Sequence, residues 1–581
     1  MTNDQHHMVK IEFTEEHEQT MEFTNPVAIV STTEGTEVLT CLQEIENWTN
    51  NGYYAAGYIT YEAGSYLGKE LPINDLVRDE SDPLIWFGIY DKPKSYQKAE
   101  TTNEPYHVTG WEQESSRAVY TQAIAKVKDH ISLGNTYQVN YTMRLRSRFL
   151  GSAYSYYEVL KTKQRAPYSA YVHDGKRQIL SLSPELFFKK EGTKLTTKPM
   201  KGTIRRGVTK DEDEQLKQQL HTSEKDQAEN VMIVDLLRND LGQIAEIGSV
   251  SVDELFTVEP YPTVWQMTST ITAQTDDQTT AAKVLRSLFP CGSITGAPKK
   301  ETMKIIAQLE SSTRGIYCGS IGYFSPTGDG CFNVAIRTAT VNDDHITYGI
   351  GGGVTWDSTT AGEYEEALLK AKIVTDHSSN VELLESIGVR NGQTSNMDLH
   401  LQRLHDSAMK LGIAFDEHNI RYQVTKEIEK LPSESLYKLR VVLGSKITVT
   451  SQRIEPMTQP QPVQFASHPV DSTNPFLKIK TTARGLYEQH KNEHPDVFDV
   501  LLFNERDEVT EFTIGNLVIE RDGILFTPPV ESGLLPGVFR EQLLREGAIS
   551  EKILTKEDVK CANRIWLINS VREWVHVQFI N

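Results

Sequence analysis

The chain has 581 residues, more than one hydrophobic core usually supports, so two or more domains are expected. A hydrophobic content of 38% and a charged content of 24% are typical of a soluble globular protein. The formal net charge of −19 disfavours nucleic acid and anionic membrane surfaces as partners, because the protein's field repels both.

The cysteine content and the N-terminal sequence restrict the kind of protein further. The five cysteines are too few and too scattered for a disulfide framework, and no C-x-x-C pair suggests zinc. The start, MTNDQHHMVK, lacks the apolar segment of a signal peptide, and no apolar run approaches membrane-spanning length. We therefore expect a cytoplasmic protein.

The first two thirds of the sequence interleave strand-like and helix-like segments. Aromatic and β-branched residues with glycine punctuation predict strands at 52–64 and 84–90. Apolar residues at helical spacing from Tyr120 to Ile131 predict a helix over 117–132. Further strands are predicted at 137–145, 179–190 and 332–340, and further helices at 224–241, 279–288, 299–311 and 362–375.

A polar segment, DHSSN at 376–380, is predicted to link two domains. A helix at 398–411 and strands at 437–454 follow it, and the Pro/Gln-rich segment 455–462 precedes a strand-rich end. The order of elements indicates α+β or α/β layers rather than a repeat array, and we predict an α+β protein. We expect a large domain at 1–375 and a second domain at 381–581, with lobes at about 381–454 and 463–581.

Two predicted helices carry pairs of carboxylates. Asp226 and Glu229 are three residues apart and project from one face, and Glu363 and Glu366 repeat the spacing. Either pair alone could be a solvated helix face. The second pair, however, follows the glycine-rich stretch 348–358, whose backbone N–H groups can approach an anion closely. Carboxylates together with a substrate anion are ligands that Mg²⁺ prefers, so a magnesium site is indicated.

Six segments of the N-terminal region together resemble the chorismate-utilising enzymes. This family includes anthranilate synthase component I, isochorismate and salicylate synthases, and aminodeoxychorismate synthase component I. The resemblance implies an α/β sandwich around a deep Mg²⁺–chorismate cleft. The matching segments are SLSPELFF (181–188), KPMKGTIRRG (198–207), EKDQAENVMIVDLLRNDLG (224–242), PCGSITGAPK (290–299), FNVAIRTA (332–339) and GIGGGVTWDS with EYEEA (349–367).

The resemblance implies a role for each matching position. Glu229 and Glu366 match metal-binding glutamates, and Asp226 and Glu363 stand in supporting positions. Glu185 matches a general acid/base. The residues expected to hold the substrate are Arg337, which would grip a carboxylate, Gly351, Gly352 and Gly353, which would supply backbone donors, and Thr295 and Gly296, which would line the pocket.

Lys201 distinguishes among the reactions of the family. Relatives that add water carry a lysine base where this chain has Gln138, so hydroxylation is disfavoured. Anthranilate synthases typically carry alanine at this position. Aminodeoxychorismate synthases carry lysine there, as this chain does with Lys201. In the implied mechanism the Lys201 amine attacks C2 while Glu185 protonates the departing 4-hydroxyl, and ammonia then adds at C4 and expels the lysine. The alternative for Lys201 is a solvated loop lysine.

Two further observations concern nitrogen and pyruvate. The sequence has no glutaminase nucleophile segment of the G-x-C-x-G kind, so a separate glutamine amidotransferase subunit is expected to supply ammonia. Gln266 stands where relatives commonly have histidine, which weakens the expectation of pyruvate elimination at this site.

The C-terminal region resembles the fold-type IV pyridoxal-phosphate enzymes, which include aminodeoxychorismate lyase and branched-chain aminotransferases. The matching segments are VELLES (381–386), DLHLQRLHDSAMKLG (398–412), FLKIKTTARGLYE (476–488), FDVLLFNERDEVTEFTIGNLV (498–518), LLPGVFR (534–540) and INSVREW (568–574).

This second resemblance implies a cofactor site. Lys480 matches the lysine that bonds pyridoxal phosphate, because Arg484 follows four residues later, and Lys478 is the competing choice. Glu511 matches the glutamate that pairs with the pyridinium nitrogen. The residues expected to hold the phosphate are Arg403, Gly537, Val538 and Ser570.

The combined prediction is a bifunctional enzyme of 4-aminobenzoate synthesis. The N-terminal domain would aminate chorismate and the C-terminal domain would eliminate pyruvate from the product. One alternative is an anthranilate synthase component I-like enzyme with an aminotransferase-like domain, which would release 2-aminobenzoate. Another is a catalytically silent C-terminal module used for dimerisation or docking.

Overall fold

The chain folds into two compact units in the computed structural model, which describes residues 7–14, 19–68, 71–73, 81–95, 104–261, 264–377 and 379–580. The α+β class predicted from the sequence is confirmed. The first unit comprises Met1–Thr101, Trp111–Phe149 and Ala153–His377, and the second comprises Thr102–Gly110, Leu150–Ser152 and Ser378–Asn581.

The first unit contains two large antiparallel sheets. Neighbouring strands in one sheet follow the order Gly296–Ala297, Gln138–Gly151, His345–Val354, Thr338–Asn342, Arg177–Ser183, Tyr168–Asp174, His7–Phe13, Gln19–Thr24 and Lys94–Ser95, with Glu112–Gln113 also paired to Gln138–Gly151. The order in the other sheet is Met200–Arg205, Val264–Gln274, Lys194–Lys198, Leu186–Glu191, Gly330–Val334, Ser320–Phe324, Tyr54–Ile59, Ile85–Tyr90 and Ala28–Thr32, with Ser251–Pro260 also paired to Val264–Gln274.

The two sheets pack face to face around a shared core. Val9, Ile11 and Val172 of one sheet belong to the same buried cluster as Ala56 and Tyr58 of the other. Alternate residues of each strand point to this core, and burying their apolar surface stabilises the sandwich by roughly 25 cal/mol per Å². The described helices of this unit are Val38–Asn50, Arg117–Ser132, Ala153–Gln164, Lys210–His221, Glu224–Leu241, Ala281–Leu288, Lys299–Leu309 and Thr360–Thr375.

The chain passes from one sheet to the other at two positions where a single strand is predicted. The segment 179–190 forms two strands, one in each sheet, separated at Pro184, which has no N–H to donate to a ladder. The segment 332–340 also forms two strands, separated at Arg337, whose φ of 50° is rare for a residue with a side chain.

Side-chain caps begin the two helices that carry the carboxylate pairs. Ser223 Oγ accepts the N–H of Asp226 at 3.3 Å, and Thr359 Oγ1 accepts the N–H of Gly362 at 3.1 Å. Each cap satisfies an N–H that has no partner within its own helix. Both carboxylate pairs therefore lie within the first two turns of a helix whose start is fixed by its sequence.

The second unit contains two sheets with their own helices. One sheet has the strand order Gln393–Thr394, Leu383–Arg390, Tyr437–Leu443 and Ile447–Arg453. The other has the order Val509–Phe512, Asp499–Phe503, Gln461–Phe465, Glu573–Phe579, Arg564–Asn569, Gly515–Arg521, Ile524–Thr527 and Ser550–Glu551. The described helices are Met397–Leu411, Glu417–Ile428, Gly485–Asn492, Val538–Arg545 and Lys556–Lys560.

The smaller sheet of the second unit is covered by an amphipathic helix. Leu401, Leu404 and Leu411 of Met397–Leu411 are buried in one cluster with Leu439 of the sheet, as the spacing of the leucines predicts. Among the described helices of the chain, none combines the length and the apolar character required to cross a membrane.

Candidate active sites

Lys201 and Glu185 lie close together in the first unit. Lys201 is half-buried on the strand Met200–Arg205, and its Nζ donates to the carbonyl of Ser293 at 3.4 Å. Glu185 is 3% exposed, and its carboxyl group lies near the side chain of Ser293. The Lys201 side chain therefore points toward a buried carboxyl group and not into open solvent.

Glu185 has the properties of a proton donor. Burial raises its pKa to about 7, although Ser293 and the charge of Lys201 both act to lower it. Its Oε1 atom is buried and has no hydrogen-bond partner in the described part of the chain. A carboxyl group with this pKa is divided between its acid and base forms at neutral pH, so it can give or take a proton.

The pKa of Glu229 is shifted by Lys201 and by two other carboxylates. Burial raises its pKa, the negative charges of Asp226 and Glu363 raise it further, and the positive charge of Lys201 lowers it. The structure thus brings carboxylates from two separate helices into one electrostatic environment with the lysine.

The second carboxylate pair faces the glycine-rich strand. A Cβ atom on Gly352 would lie 3.1 Å from Glu363 Oε2 and 3.5 Å from Glu366 Oε1. Burial and the nearby charge of Glu366 raise the pKa of Glu363. Glu366 is more exposed, and its ion pair with Lys370, at 2.9 Å, lowers its pKa.

These carboxylates do not by themselves form a closed metal cage. Within the described ranges, no group of three or more His, Cys, Asp and Glu side chains is arranged to hold a metal ion. Their mutual repulsion nonetheless favours a bound cation. Mg²⁺ commonly takes only one or two carboxylates and completes its shell with water and substrate oxygens, so the residues present fit such an ion.

The three predicted glycine donors are not equivalent. The Gly351 carbonyl accepts from Lys370 Nζ at 2.8 Å, and the N–H of Thr142 opposite it donates to Glu310 Oε1 at 2.8 Å. Gly351 therefore does not exchange hydrogen bonds with the adjacent strand Gln138–Gly151. In an antiparallel pair of strands, residues that exchange backbone hydrogen bonds with the neighbouring strand alternate with residues that do not. Gly352 therefore exchanges hydrogen bonds with Tyr141, whereas Gly353, like Gly351, directs its N–H away from that strand. The geometry favours Gly351 and Gly353 as backbone donors to a ligand.

Arg337 is a half-buried cation that forms no ion pair with a carboxylate in the part of the chain that the structure describes. Burial lowers its pKa, and the groups that oppose this are the hydroxyls of Tyr348 and Tyr261, with no carboxylate among them. A guanidinium group in this setting is suited to an anionic ligand, because burying a charge is costly unless it is paired.

Thr295 and Gly296 hold the turn that contains Ser293. The Thr295 hydroxyl donates to the carbonyls of Cys291 at 3.2 Å and Gly292 at 3.1 Å, so it is directed to the backbone and not to a cleft. Gly296 has a φ of 138°, and a Cβ atom there would overlap the backbone of Gln138. Any role of these two residues in lining a pocket would involve their backbone.

Gln138 is a site residue whose environment the sequence does not reveal. Its side chain is 1% exposed, and neither Nε2 nor Oε1 has a hydrogen-bond partner among the residues the structure describes. A Cβ atom on Gly353 would overlap the Gln138 Nε2 and would lie 3.3 Å from the Nζ of Lys201. Its position in YQVNYT marks it for comparison with relatives, but only the packing shows an unpaired amide beside Lys201.

In the second unit, Lys480 and not Lys478 has the environment of a reactive lysine. Lys478 is exposed, whereas Lys480 is half-buried. Burial, and next the charge of Arg403, lower the pKa of Lys480 to about 7, against the opposing charges of Glu385 and Glu511. Its amine is therefore neutral in a large fraction of molecules at neutral pH.

Glu511 is buried near Lys480 and held by three donors. Its Oε1 accepts from the Tyr487 hydroxyl at 2.9 Å and from the Leu535 N–H at 3.1 Å, and its Oε2 accepts from Asn516 Nδ2 at 3.3 Å. Burial raises its pKa to about 7 in spite of these bonds. Tyr487 was not predicted as a site residue, and its spacing of seven from Lys480 gives no distinct signal.

Arg403 is fixed by a buried carboxylate. Its Nε and Nη2 donate to Glu385 at 2.8 and 2.7 Å, and Nη1 donates to the Pro536 carbonyl at 2.9 Å. His400 Nδ1 also bonds Glu385 at 2.7 Å. Burial alone would raise the pKa of Glu385, but Arg403 and His400 hold it well below its usual range.

The other predicted cofactor residues lie around this arginine and Lys480. Gly537, next to Pro536, precedes the helix Val538–Arg545, whose first N–H groups have no helical partners. Ser570 is buried, and its carbonyl lies against Gly388 of the smaller sheet. Arg484, whose charge also acts on Lys480, donates to the Thr513 carbonyl. The residues present fit a phosphorylated aldehyde cofactor, since a neutral amine, a buried carboxyl group and a helix start occur together.

Comparison with known protein families confirms both resemblances. Residues 7–376 match the family described as chorismate binding enzyme, and residues 382–580 match the family described as amino-transferase class IV.

Individual relatives match the first unit. Aminodeoxychorismate synthase component 1 of Salmonella typhimurium is 43% identical over 272 residues, which are 46% of this chain and 60% of that protein. The Bacillus subtilis protein of the same name is 35% identical over 356 residues, 55% of this chain and 75% of that protein. The chain thus spans less than two thirds of the Salmonella relative.

The fold of the first unit occurs among solved structures. Anthranilate synthase component I of Streptococcus pneumoniae aligns with a TM-score of 0.50 at 24% identity, over 63% of this chain and 89% of that one. At this identity the likeness shows the fold.

Proposed function

This chain belongs to the family of chorismate-binding enzymes, and on that premise we propose that it makes 4-aminobenzoate, a folate precursor, in two steps. The first unit aminates chorismate to 4-amino-4-deoxychorismate, and the second eliminates pyruvate from that product. The names of the Salmonella and Bacillus relatives support the first step. Joining the two activities is reasonable, because the product of the first is the substrate of the second.

One observation carries the first step: the amine of Lys201 bonds the carbonyl of Ser293, where its charge acts on the buried carboxyl group of Glu185. The Lys201 nitrogen forms a bond to C2 of the ring, both ring double bonds shift, and the C4–O bond breaks as Glu185 gives its proton to the departing oxygen, which leaves as water. Ammonia then bonds C4, both double bonds return, the C2–N bond to Lys201 breaks, and the proton lost by the added nitrogen passes back to Glu185. A general acid is needed because hydroxide is a poor leaving group.

Arg337 and the carboxylate cluster anchor the substrate in this proposal. Arg337 binds one substrate carboxylate, and the N–H groups of Gly351 and Gly353 bind the same dianion. Mg²⁺ held by Glu229 and Glu366, with Asp226 and Glu363 in support, would neutralise the second substrate carboxylate. Without such a cation the glutamates would repel the substrate.

The nitrogen source is a separate glutamine amidotransferase subunit. The name component 1 borne by the relatives supports a partner of this kind. Free ammonium would replace the partner in the test tube.

The second step uses pyridoxal phosphate at Lys480. Bound there, the cofactor would act as an electron sink for the elimination of pyruvate. Glu511 would pair with its ring nitrogen, and Arg403 with the start of Val538–Arg545 and Ser570 would hold its phosphate. The Lys480 amine, with a pKa of about 7, is suited to move a proton on the substrate carbon.

A direct test supplies chorismate, ammonium, Mg²⁺ and pyridoxal phosphate to the purified protein and identifies the products. We expect 4-aminobenzoate from the wild type, and its loss in Lys201→Ala by at least about 100-fold. Lys198→Ala is the matched control, because Lys198 lies three residues away in an ion pair with Glu259 at 2.7 Å. It should retain activity within about threefold.

Other outcomes would contradict the proposal. Release of 2-aminobenzoate would identify an anthranilate synthase-like enzyme. Wild-type output from Lys201→Ala would exclude the lysine as nucleophile. A protein that takes up no pyridoxal phosphate, and so shows no visible absorbance, would favour a silent second unit.

A further inference from the structure

Lys201 lies in a β-bulge and not in a regular strand. Lys201 and Gly202 together oppose a single residue of the neighbouring strand, because the register shifts by one between two flanking pairs. These pairs are Met200 with Thr268 and Thr203 with Gln266. Gly202 has a φ of +83°, which residues with side chains rarely adopt. The direction of the Lys201 side chain is therefore set by an irregular backbone that needs support from outside the ladder.

Gln266 supplies that support with both ends of its amide. Its Nε2 donates to the Gly202 carbonyl at 2.7 Å, and its Oε1 accepts from the Thr203 hydroxyl at 2.8 Å. Its side chain is 4% exposed, so water does not compete readily for these bonds. If the Gln266 amide were turned over, its oxygen would face the Gly202 carbonyl oxygen. The hydrogen-bond partners therefore determine which way the amide points.

The helix that carries Asp226 and Glu229 also packs against the bulge. A Cβ atom on Gly202 would lie 2.9 Å from the Cβ of Asp226, so the helix Glu224–Leu241 packs directly against the bulge. With Gln266 on one side and Asp226 on the other, the backbone next to Lys201 has little room to move.

We propose that Gln266 is a positioning residue, which aims the Lys201 amine through the bulge and does not itself touch the substrate. The inference rests on the proposed role of Lys201 in amination. An amide suits the task because it combines a donor and an acceptor and carries no charge at any working pH. Leucine offers neither group, and a glutamate would place a carboxylate oxygen against the Gly202 carbonyl.

The test uses ammonium-dependent amination by the full chain, with rates expressed per chorismate-binding site determined by titration. In Gln266→Leu we expect kcat to fall about 10- to 100-fold, because a misplaced nucleophile loses rate steeply. The KM for chorismate should stay within twofold, because Arg337 and the glycine strand are unchanged. Thr203→Val should lower kcat in the same direction, and Thr203→Ser, which keeps the hydroxyl, should restore it.

A matched control lies on the same strand. Gln274 Oε1 accepts from the Thr193 hydroxyl at 3.0 Å, a similar contact far along the strand from the bulge. Gln274→Leu should leave kcat within twofold. In the double variant of Gln266→Leu with Thr203→Val, kcat should fall by less than the product of the two single effects, because both act on one contact.

The inference is overturned if Gln266→Leu and Thr203→Val both keep kcat within twofold, or if their losses appear in KM or in the number of binding sites. Should Gln266→Leu not fold, the comparison of Thr203→Val with Thr203→Ser decides alone. A wild-type protein that forms no aminated product would instead refute the proposed function.

Discussion

Glu185 and Arg337 occupy the two neighbouring passages at which the chain crosses between the sheets of the first unit. The Glu185 carbonyl accepts the N–H of Val334 at 3.0 Å, and the Arg337 carbonyl accepts the N–H of Leu182 at 3.0 Å. The passage at Glu185 is thus bonded to the strand that precedes Arg337, and the passage at Arg337 is bonded to the strand that precedes Glu185. The two passages, one carrying an acid and the other a cation, are therefore held together by backbone hydrogen bonds.

The pKa of Glu185 predicts how amination depends on pH. Its folded-state pKa, about 7, lies above the ordinary glutamate value, so the acid form persists to neutral pH and declines tenfold per unit above it. At a constant concentration of free ammonia, kcat should fall above about pH 7. The measurement is the rate of aminated product between pH 6 and 9.

Glu185→Gln is the companion variant. It should lose about 10²- to 10⁴-fold in kcat, and its remaining rate should lack the decline above neutral pH. If kcat of Glu185→Gln still declines above neutral pH as in the wild type, the decline is caused by a group other than Glu185.

Removal of divalent metal should separate the two reactions. Chelation by EDTA should abolish amination while conversion of supplied 4-amino-4-deoxychorismate to 4-aminobenzoate continues, because the carboxylate cluster belongs to the first unit only. Glu229→Gln should raise the Mg²⁺ concentration needed for half-maximal rate by about tenfold or more. Glu224→Gln, which changes an exposed residue of the same helix, is the control. It should leave the required Mg²⁺ concentration unchanged.

The two candidate cofactor lysines should behave differently. Lys480→Ala should lose the visible absorbance of bound pyridoxal phosphate and let 4-amino-4-deoxychorismate accumulate, because the substitution removes the amine that would bond the cofactor. Lys478→Ala should keep both properties, because Lys478 is exposed. Spectra and product ratios of the two variants check this, and normal 4-aminobenzoate output from Lys480→Ala would contradict it.

The ion pair of Arg403 with Glu385 should matter for stability. Glu385→Gln leaves a buried guanidinium without its carboxylate, at a cost of about 3–5 kcal/mol in the free energy of unfolding. Glu417→Gln, which breaks an exposed pair with Arg421, should cost less than about 1 kcal/mol. Urea unfolding of both variants measures the difference. Equal losses would show that burial of the first pair has no special effect.

Several elements follow from local sequence alone. Ser223 predicts the start of the helix Glu224–Leu241, because an oxygen three residues before a free N–H can cap it. The three-residue spacing of Asp226 and Glu229 then places both on one face. Likewise, the leucine spacing in Met397–Leu411 indicates which face is buried.

The sequence by itself determined the class of fold, about half of the helices and the chemical types of the site residues, because caps, periodicity and motif residues act over a few positions. Only the tertiary structure decided that 179–190 and 332–340 cross between sheets, that Gln266 supports the bulge at Lys201, and that Glu385 pairs with Arg403. These relationships join residues 18 and 64 positions apart or depend on which sheet a strand enters. Burial, which shifts the pKa of Glu185 and Lys480, exists only once such segments have packed.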